Sequence, residues 1–433
     1  MKKVVKAVVC LSLAAAGFIG CSGKESKKAD EPVKLAMTWW GNQTRNERTQ
    51  KVLDMFTAAN PKVTFDPQFA EWADYWNKLA TSAAGHQMPD IVQMDYKYIN
   101  QYAEKNLLAD LTPYTQNGTL DTSKINEGIL KAGTVNSKLV AVCNGVNAPA
   151  LLYNKSLLDS KGITVKDNMT LDEFIALCKD IYKKTGCKTN VSYGSNEIFL
   201  EYTMRGIGKT GLFGDKKFTA DSASDFDIFF NIYEEGTKEE WLVSPSIFSE
   251  RTIGSVEQDP MIYGTKQDSM SWCAFVYSNQ TSAFNKAKPA DMTLGITTWP
   301  AVDPAKANYL KPSQFFSVST DSKNPEKAAA VINFLTNNVD CNNVLLGERG
   351  IPPASNVADA IAPQLDAIQQ TVVNYINKVV TPNCSAISAP APANAAEVFT
   401  LINSLEEQIC YKTITAKQAS QELFTKGNEI LAK

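Results

Sequence analysis

The first predicted elements of the chain alternate between strand and helix. Over residues 33–40 apolar and polar residues alternate, which predicts a β-strand because successive side chains of a strand point to opposite faces. Over residues 72–84 the apolar residues recur at helical spacing instead, with Trp76, Leu79, Ala80 and Ala83 on one stripe. The two patterns together predict strands at 33–40, 63–65 and 91–94 and helices at about 46–59, 72–84 and 99–107. This alternation favours an α/β domain with a parallel sheet.

The same alternation returns over residues 303–338, where Ser319-Thr320-Asp321 is predicted to begin a helix built on Ala328, Val331, Ile332 and Leu335. The last third of the chain is mostly helical in pattern and ends with a helix from Thr415. A chain of 433 residues is longer than one hydrophobic core usually supports, and we therefore expect two domains.

The first twenty residues have the composition of a secretory signal peptide. Lys2, Lys3 and Lys6 give a basic start, and the uncharged stretch 7–20 follows. This stretch is shorter than the roughly 20 residues that span a bilayer, and its length suits the core of a signal peptide. A short membrane anchor is the alternative interpretation.

The segment after the predicted signal indicates a tether. The site Phe18-Ile19-Gly20-Cys21 resembles a bacterial lipobox, which implies that Cys21 is acylated and becomes the first residue. Residues 21–32 are small, charged or turn-forming, so they cannot bury enough apolar surface to fold. Acyl chains on Cys21 would hold the protein at the outer face of the cytoplasmic membrane or in the periplasm.

Charge and cysteine content exclude some classes of function. The formal net charge of −3 becomes −6 without the three lysines of the signal, and this acidic balance does not favour a nucleic-acid partner. Seven cysteines follow Cys21, an odd number without a C-x-x-C pair, so zinc and a full disulfide framework are disfavoured. Cys178 and Cys187 are close enough in sequence to bridge, and two buried free thiols are the alternative.

The order of several segments resembles the family 1 extracellular solute-binding proteins, which serve sugar-importing ABC transporters. The matching segments are Thr38-Trp39-Trp40-Gly41-Asn42, Trp72 to Leu79, Pro89 to Tyr96, Leu151 to Lys155, Met270-Ser271-Trp272, Tyr277 to Gln280, and Glu348 to Pro352. The resemblance covers nearly all of residues 33–433, and its specificity lies in the order and spacing of the segments.

The resemblance implies a two-lobe α/β fold of the periplasmic-binding-protein type, with hinge crossovers and the ligand in the cleft between the lobes. By this analogy one lobe holds 33–143 with 290–345, and the other holds 144–289 with 346–433. It also implies a monomer that captures a mono- or oligosaccharide by lobe closure and delivers it to the permease subunits of an ABC importer, without a cofactor, a metal or catalysis of its own.

Several residues are candidates for contact with the ligand. Aromatic faces cover the apolar side of a pyranose ring, while carboxylates and amides pair with its hydroxyl groups. Because ligands of open α/β sheets bind beyond the carboxyl ends of the strands, we expect the residues that follow the first and third strands to face the cleft. The candidates are Trp40, Asn42, Trp72, Asp95, Tyr96, Asn147, Trp272, Phe275, Gln314 and Arg349.

Structural roles are the alternatives for some of these residues. Asp95 also fits the cap of the helix that follows it. Trp272 stands where the family commonly places a stacking aromatic, although Phe275 or Tyr277 could fill that role. For Trp76 we expect core packing.

An enzyme is the main alternative class. The only histidine, His86, stands in a polar turn, and the chain has neither an HExxH nor a Gly-x-Ser-x-Gly motif. A glycoside hydrolase needs only two carboxylates about 5–10 Å apart, so this alternative stays open. A surface interaction protein, which would expose an apolar patch, is the third hypothesis.

Overall fold

The structure of the chain is a computed structural model that describes residues 31–41, 43–70, 72–192, 196–250, 256–263, 269–392 and 394–433, without the side chains of Trp72, Ala73, Phe248 and Glu250. The predicted signal peptide, Cys21, nearly all of the predicted tether and Asn42 therefore lie outside the described residues. In the part that is described, no helix has both the length and the apolar character needed to cross a bilayer.

Strands and helices alternate through the chain. The strands are β1 Val33–Trp40, β2 Val63–Ala70, β3 Ile91–Met94, β4 Thr134–Val135, β5 Lys138–Leu139, β6 Val142–Asn147, β7 Pro149–Asn154, β8 Cys273–Tyr277, β9 Leu294–Thr297 and β10 Lys311–Val318. The helices of the first half are α1 Gln43–Ala59, α2 Trp72–Ala84, α3 Tyr96–Glu104, α4 Thr112–Gln116, α5 Glu127–Ala132, α6 Lys155–Asp159, α7 Leu171–Thr185 and α8 Asn196–Gly206. Those of the second half are α9 Asp227–Lys238, α10 Ile247–Glu250, α11 Thr281–Ala287, α12 Pro304–Ala307, α13 Pro325–Asn337, α14 Val339–Leu345, α15 Ser355–Ile361, α16 Ala367–Asn374, α17 Ala395–Cys410 and α18 Ala416–Ala432.

Most of the predicted elements are present, and the differences lie at their ends. The bounds predicted for β1, α2 and β3 are confirmed, although Ala80 of the predicted α2 stripe is exposed and Tyr75 is buried instead. Helix α3 begins at Tyr96, earlier than predicted, because the carboxylate of Asp95 accepts a hydrogen bond from the backbone N–H of Lys97 and caps it. Helix α13 begins at Pro325 and not at Ser319 as predicted, because the backbone N–H of Ser319 donates to the carbonyl O of Asp90, the residue before β3.

Two sheets organise the molecule. In the larger sheet the strand order is β2-β1-β3-β10-β6, with β1 parallel to β2 and β3 and with β10 antiparallel to both of its neighbours. The smaller sheet has the order β8-β7-β9 and is antiparallel. The parallel part of the larger sheet matches the prediction from the N-terminal alternation, whereas the crossing of β10 into that sheet comes from distant sequence.

Two large hydrophobic clusters form the cores of two lobes. The first draws its buried residues from 35–150 and 310–380, and the second from 151–309 and 398–431. The predicted boundaries had placed 346–433 in the second lobe and 290–345 in the first. We propose instead that the first lobe comprises 33–150 with 310–380, because the apolar residues of 351–380 pack in the first cluster and Trp299 packs in the second.

Three segments connect the lobes. Only Ala148 separates β6 of the larger sheet from β7 of the smaller one, and its backbone N–H donates to Oγ of Ser278 over 3.1 Å. The second connection runs from β9 to β10, and the third follows Val380 and leads to α17. The predicted two-lobe fold with hinge crossovers is thus confirmed.

The seven cysteines that the structure describes are free, and all but Cys384 are buried. Burial raises the pKa of the Cys187 thiol to about 12. Of the two alternatives for Cys178 and Cys187, the structure shows the pair of buried free thiols.

Candidate functional site

The candidate site lies where the carboxyl ends of β1 and β3 approach the crossover strands. Because β1 and β3 are parallel, Trp40 at the end of β1 and Asp95-Tyr96 after β3 come to the same edge of the larger sheet. The strands β6 and β10 of the same sheet carry Asn147 and Lys311 at the points where the chain passes between the lobes. Four segments that are distant in sequence therefore meet at one edge.

Trp40 belongs to an aromatic cluster on the first lobe. Its ring centroid is 5.2 Å from that of Tyr75 and 5.5 Å from that of Trp76, and Trp76 lies 4.1 Å from Tyr98. The hydroxyl of Tyr75 donates to the carbonyl O of Gln93 over 2.6 Å, which ties the cluster to β3. Trp76 packs against the core as predicted, and Trp40 stays partly exposed at the strand end.

Asp95 and Tyr96 have different roles in the structure. Asp95 caps α3, so the structural alternative for this residue is present. Tyr96 reaches the third connecting segment, where its hydroxyl donates to the carbonyl O of Ser388 over 3.0 Å. Burial, together with the nearby carboxylate of Glu201, raises the pKa of Tyr96 to about 12, and the guanidinium of Arg205 opposes the shift. Tyr96 therefore contacts the connecting segment and approaches groups of the second lobe.

A cavity of about 420 Å³ lies beside this edge and brings three of the predicted residues together. This volume is within the range of about 300–1,000 Å³ that is usual for ligand sites. Its lining is largely polar and comprises Arg45, Asn147, Ser278, Asn279, Ser282, Lys311, Ser313, Gln314, Leu346 to Ile351, Leu365, Gln369 and Val372. Asn147, Gln314 and Arg349 thus line one cavity, and their contact with a ligand stays a prediction.

Gln314 and Arg349 are held by hydrogen bonds within the first lobe. Nη1 of Arg45 donates to Oε1 of Gln314 over 3.0 Å, and Nε of Arg45 lies 2.7 Å from Oε2 of Glu348. Nε of Arg349 donates to Oε1 of Gln93 over 3.0 Å, and burial lowers its pKa, with the charge of Arg45 as a further cause. These side chains form a rigid wall of the cavity.

A close backbone approach positions the loop that carries Glu348 and Arg349. Val146 and Ile351 exchange backbone hydrogen bonds of 2.8 and 3.1 Å. A Cβ atom at Gly145 would lie 2.1 Å from the carbonyl O of Arg349, so the sequence allows this contact only because residue 145 is glycine.

Two polar side chains of the cavity, those of Asn147 and Lys311, are available to a ligand. They are directly paired across β6 and β10, so their side chains point to the same face of the sheet. Asn147 is 7% exposed, and its carboxamide makes no hydrogen bond within the part of the chain that the structure describes. Nζ of Lys311 lies 4.7 Å from the ring centroid of Tyr277. A ligand could therefore take hydrogen bonds here without breaking existing ones.

The second lobe contributes the carboxyl group of Glu201 near the same edge. Burial raises the pKa of Glu201, while Ser388 and the guanidinium of Arg205 lower it. Nη1 of Arg205 donates to Oγ of Ser388 over 2.8 Å, so the third connecting segment is bound to α8 on one side and to Tyr96 on the other. The hydroxyls of Tyr277 and Tyr309 are 2.8 Å apart beneath these groups.

The structure contradicts the prediction that Trp272 and Phe275 present their rings to the cleft. Trp272 is fully buried, and its indole Nε1 donates to Oγ1 of Thr189 over 2.9 Å. Phe275 is 3% exposed and packs edge-on against Phe199 at 4.9 Å. Both rings belong to the second hydrophobic core, where each of them packs against Phe174 of α7.

Two of the predicted ligand contacts, Asn42 and Trp72, have no described side chain. Asn42 and the side chain of Trp72 lie outside the described residues, so both stay predictions.

Lys311, Arg45 and Glu201 were not predicted from the sequence, and Tyr277 was named only as a substitute for Trp272. One signal could have indicated Lys311, since a lysine is unusual in a strand that is mostly buried.

No group of three or more histidine, cysteine or acidic side chains suited to a metal ion occurs among the described residues. The site offers hydrogen-bond donors and acceptors, a cation and aromatic faces between two lobes. These features define a binding protein of the two-lobe type, in which a polar solute is held in the cleft.

Comparison with known proteins gives the family. The sequence pattern of the bacterial extracellular solute-binding proteins matches residues 51–371, and the chain belongs to this family. A carbohydrate ABC transporter substrate-binding protein of Streptococcus pneumoniae serotype 4 is 24% identical over 380 residues, which is 81% of this chain and 72% of that protein.

Solved structures share the fold. A family 1 extracellular solute-binding protein from Alicyclobacillus acidocaldarius has a TM-score of 0.83 at 23% identity, with 93% of this chain and 99% of that chain covered. A periplasmic oligogalacturonide-binding protein from Yersinia enterocolitica has a TM-score of 0.76 at 19% identity, with 92% and 99% covered.

Proposed function

We propose that this solute-binding protein captures a carbohydrate in the cleft between its lobes and delivers it to the permease of an ABC importer. The observation that carries the proposal is the polar cavity at the crossover strands, where Asn147 and Lys311 offer an amide and a cation, and where the ring centroid of Tyr277 lies 4.7 Å from Nζ of Lys311. Hydroxyl groups and the apolar face of a sugar ring need this combination. The similarity to a carbohydrate ABC transporter substrate-binding protein supports the same function.

Lobe closure is the step that would signal to the importer. The two cores are joined by three connecting segments, and Tyr96 reaches across to Ser388 on the third one. A ligand that touches both lobes binds the closed form better and shifts the population towards it by no more than this difference in affinity. We propose that the protein acts as a monomer, has no catalytic activity and needs no cofactor.

The substitution Asn147→Ala tests the site. We expect it to weaken saccharide binding about ten- to a hundredfold, because a buried ligand hydroxyl without its partner costs roughly 1–3 kcal/mol. The melting temperature of the empty protein should change little, since the carboxamide makes no hydrogen bond within the described residues. Calorimetric titration with a panel of saccharides measures the affinity, small-angle scattering measures compaction, and chromatography of the recovered sugar detects hydrolysis.

The matched control is Asn100→Ala, which removes an exposed carboxamide on α3. This variant should bind as the wild type does. A saccharide that is recovered cleaved would favour the glycoside hydrolase instead, and the absence of binding to any saccharide would exclude the proposed ligand class. Binding without compaction would contradict lobe closure alone.

We also propose that the protein is a lipoprotein held at the outer face of the cytoplasmic membrane, or in the periplasm, through Cys21. The substitution Cys21→Ser should move the protein from the membrane fraction to the soluble fraction, because a serine cannot carry the thioether-linked lipid. Immunoblots of fractionated cells measure this change. Retention of the serine variant in the membrane would favour the uncleaved anchor over the acylated cysteine.

A further inference from the structure

The charges of the residues that line the cavity are unbalanced. Its lining includes the cations Arg45, Lys311 and Arg349 but only one carboxylate, that of Glu348. Glu348 is paired with Arg45 at 2.7 Å, so two positive charges are left without a carboxylate in the lining. The chain as a whole has a formal net charge of −3, which makes this electropositive cavity a local feature.

Of these two cations, Lys311 is the one that a ligand can reach. The guanidinium of Arg349 is buried and donates to Gln93 and to Thr49, over 3.0 and 2.8 Å. Lys311 is only partly buried, lines the cavity and makes no ion pair within the described part of the chain. Burial lowers its pKa, and the more distant charge of Asp95 opposes this shift. A partly desolvated cation without a carboxylate partner is costly to keep, and an anion of the ligand would offset that cost.

Asn147 provides the second, independent observation. Its side chain is more than nine-tenths buried, lines the same cavity and lies opposite Lys311 in the strand pair, yet its carboxamide has no hydrogen-bond partner among the described residues. Its amide group can donate to an anionic oxygen while the ammonium of Lys311 supplies the charge. The two side chains thus form one receptor for a charged polar group.

We infer that the cleft selects an acidic saccharide, in which the carboxylate of a uronic-acid residue pairs with Lys311 and accepts a hydrogen bond from Asn147. This inference rests on the proposed function and specifies the ligand class of the same site. The likeness to an oligogalacturonide-binding protein shows the fold alone, so the ligand class follows only from the side chains of this cavity.

A carboxylate fits this receptor better than a phosphate. Lys311 is the accessible cation of the lining that pairs with no carboxylate among the described residues, and a single ammonium neutralises a single negative charge. A phosphate monoester carries close to two charges and three acceptor oxygens, for which proteins supply several cations or a bidentate guanidinium. Arg45 cannot serve in that way without leaving Glu348 and Gln314.

The test compares a uronic-acid oligosaccharide with its carboxyl-reduced, neutral form and with a sugar phosphate, by calorimetric titration of the full protein. We expect the wild type to bind the acidic form at least tenfold more tightly than either of the others, with an affinity that falls as salt is added. Lys311→Met should remove this preference, with a loss of ten- to a hundredfold for the acidic form and less than threefold for the neutral form.

Lys97→Met is the matched control, since it removes an exposed cation close to Tyr96 and should change neither affinity. The melting temperature of empty Lys311→Met should be unchanged or higher, which separates a binding role from a structural one. Equal binding of the acidic and neutral forms by the wild type would overturn the inference and leave the proposed function intact. Tighter binding of the sugar phosphate than of the acidic form would have the same consequence. An equal loss of both affinities in Lys311→Met would also overturn it, and failure of every saccharide to bind would overturn the proposed function as well.

Discussion

Replacement of Trp272 by alanine should destabilise the empty protein by about 3–5 kcal/mol, the usual cost of truncating a fully buried aromatic side chain. Trp272 is fully buried in the second core, and its indole ring centroid lies 6.1 Å from that of Phe174. The truncation also leaves the hydroxyl of Thr189 without the indole N–H that donates to it. Denaturant titration of the ligand-free protein measures the free energy of unfolding.

The affinity of folded Trp272→Ala for its saccharide should change little, because the ring does not reach the cavity. If the alanine variant does not fold, Trp272→Phe serves instead, with a smaller loss of stability because the aromatic face is kept. A variant of unchanged stability that has lost its ligand would contradict the core position and return Trp272 to the cleft.

Replacement of Glu406 by glutamine should change how stability depends on pH. Glu406 is 3% exposed in the second core, where its Oε2 accepts a hydrogen bond of 2.8 Å from Nδ2 of Asn196. No basic side chain of the described residues pairs with it, whereas Tyr233 and Cys410 pack nearby and Glu407 adds a like charge. Burial raises the pKa of Glu406 to about 8, with Glu407 as a lesser cause and the hydrogen bond from Asn196 in opposition.

The sign of the effect follows from the protons that each state binds. Between about pH 4.5 and pH 8 the folded protein keeps a proton on Glu406, while the unfolded chain has lost it, so this residue makes stability fall as the pH rises. The slope for one proton is about 1.4 kcal/mol per pH unit. Glu406→Gln carries no proton to lose and can still accept the hydrogen bond from Asn196, so its stability should exceed that of the wild type increasingly towards pH 8.

Denaturant titrations of both proteins from about pH 5 to about pH 8 measure this difference. The control is Glu429→Gln, an exposed residue of α18, for which the difference from the wild type should stay constant across the range. A constant difference for Glu406→Gln as well would show that the buried carboxyl has an ordinary pKa. Asn196 begins α8, which also carries Glu201 towards the cleft, so the same series would reveal whether the charge of Glu406 affects saccharide binding.

The local elements could be predicted because their causes are local. The alternation over 33–40 is enough to define β1, since it buries Leu35, Met37 and Trp39 on one face. Thr415 and Gln418 form the capping box that begins α18 where the sequence predicted it. The start of α3 was placed too late, because the capping role of Asp95 was treated as the alternative to ligand contact.

The cleft residues were harder to predict because they depend on the direction in which distant segments meet. Asn147, Gln314 and Arg349 were predicted only as candidate ligand contacts, and they line one cavity. Trp272 and Phe275 were placed in the cleft by the family resemblance, yet both are buried in the core of the second lobe, where each packs against Phe174.

The sequence by itself determined the class of fold and the series of its N-terminal elements, because hydrophobic period, caps and chain length act over a few residues or over the whole composition. The tertiary structure alone decided which polar groups are left without partners. Lys311 and Asn147 become neighbours only when β10 crosses back beside β6, about 165 residues later in the chain. A site of this kind depends on long-range strand pairing and on the burial that it creates, and neither is written in the local pattern of the residues.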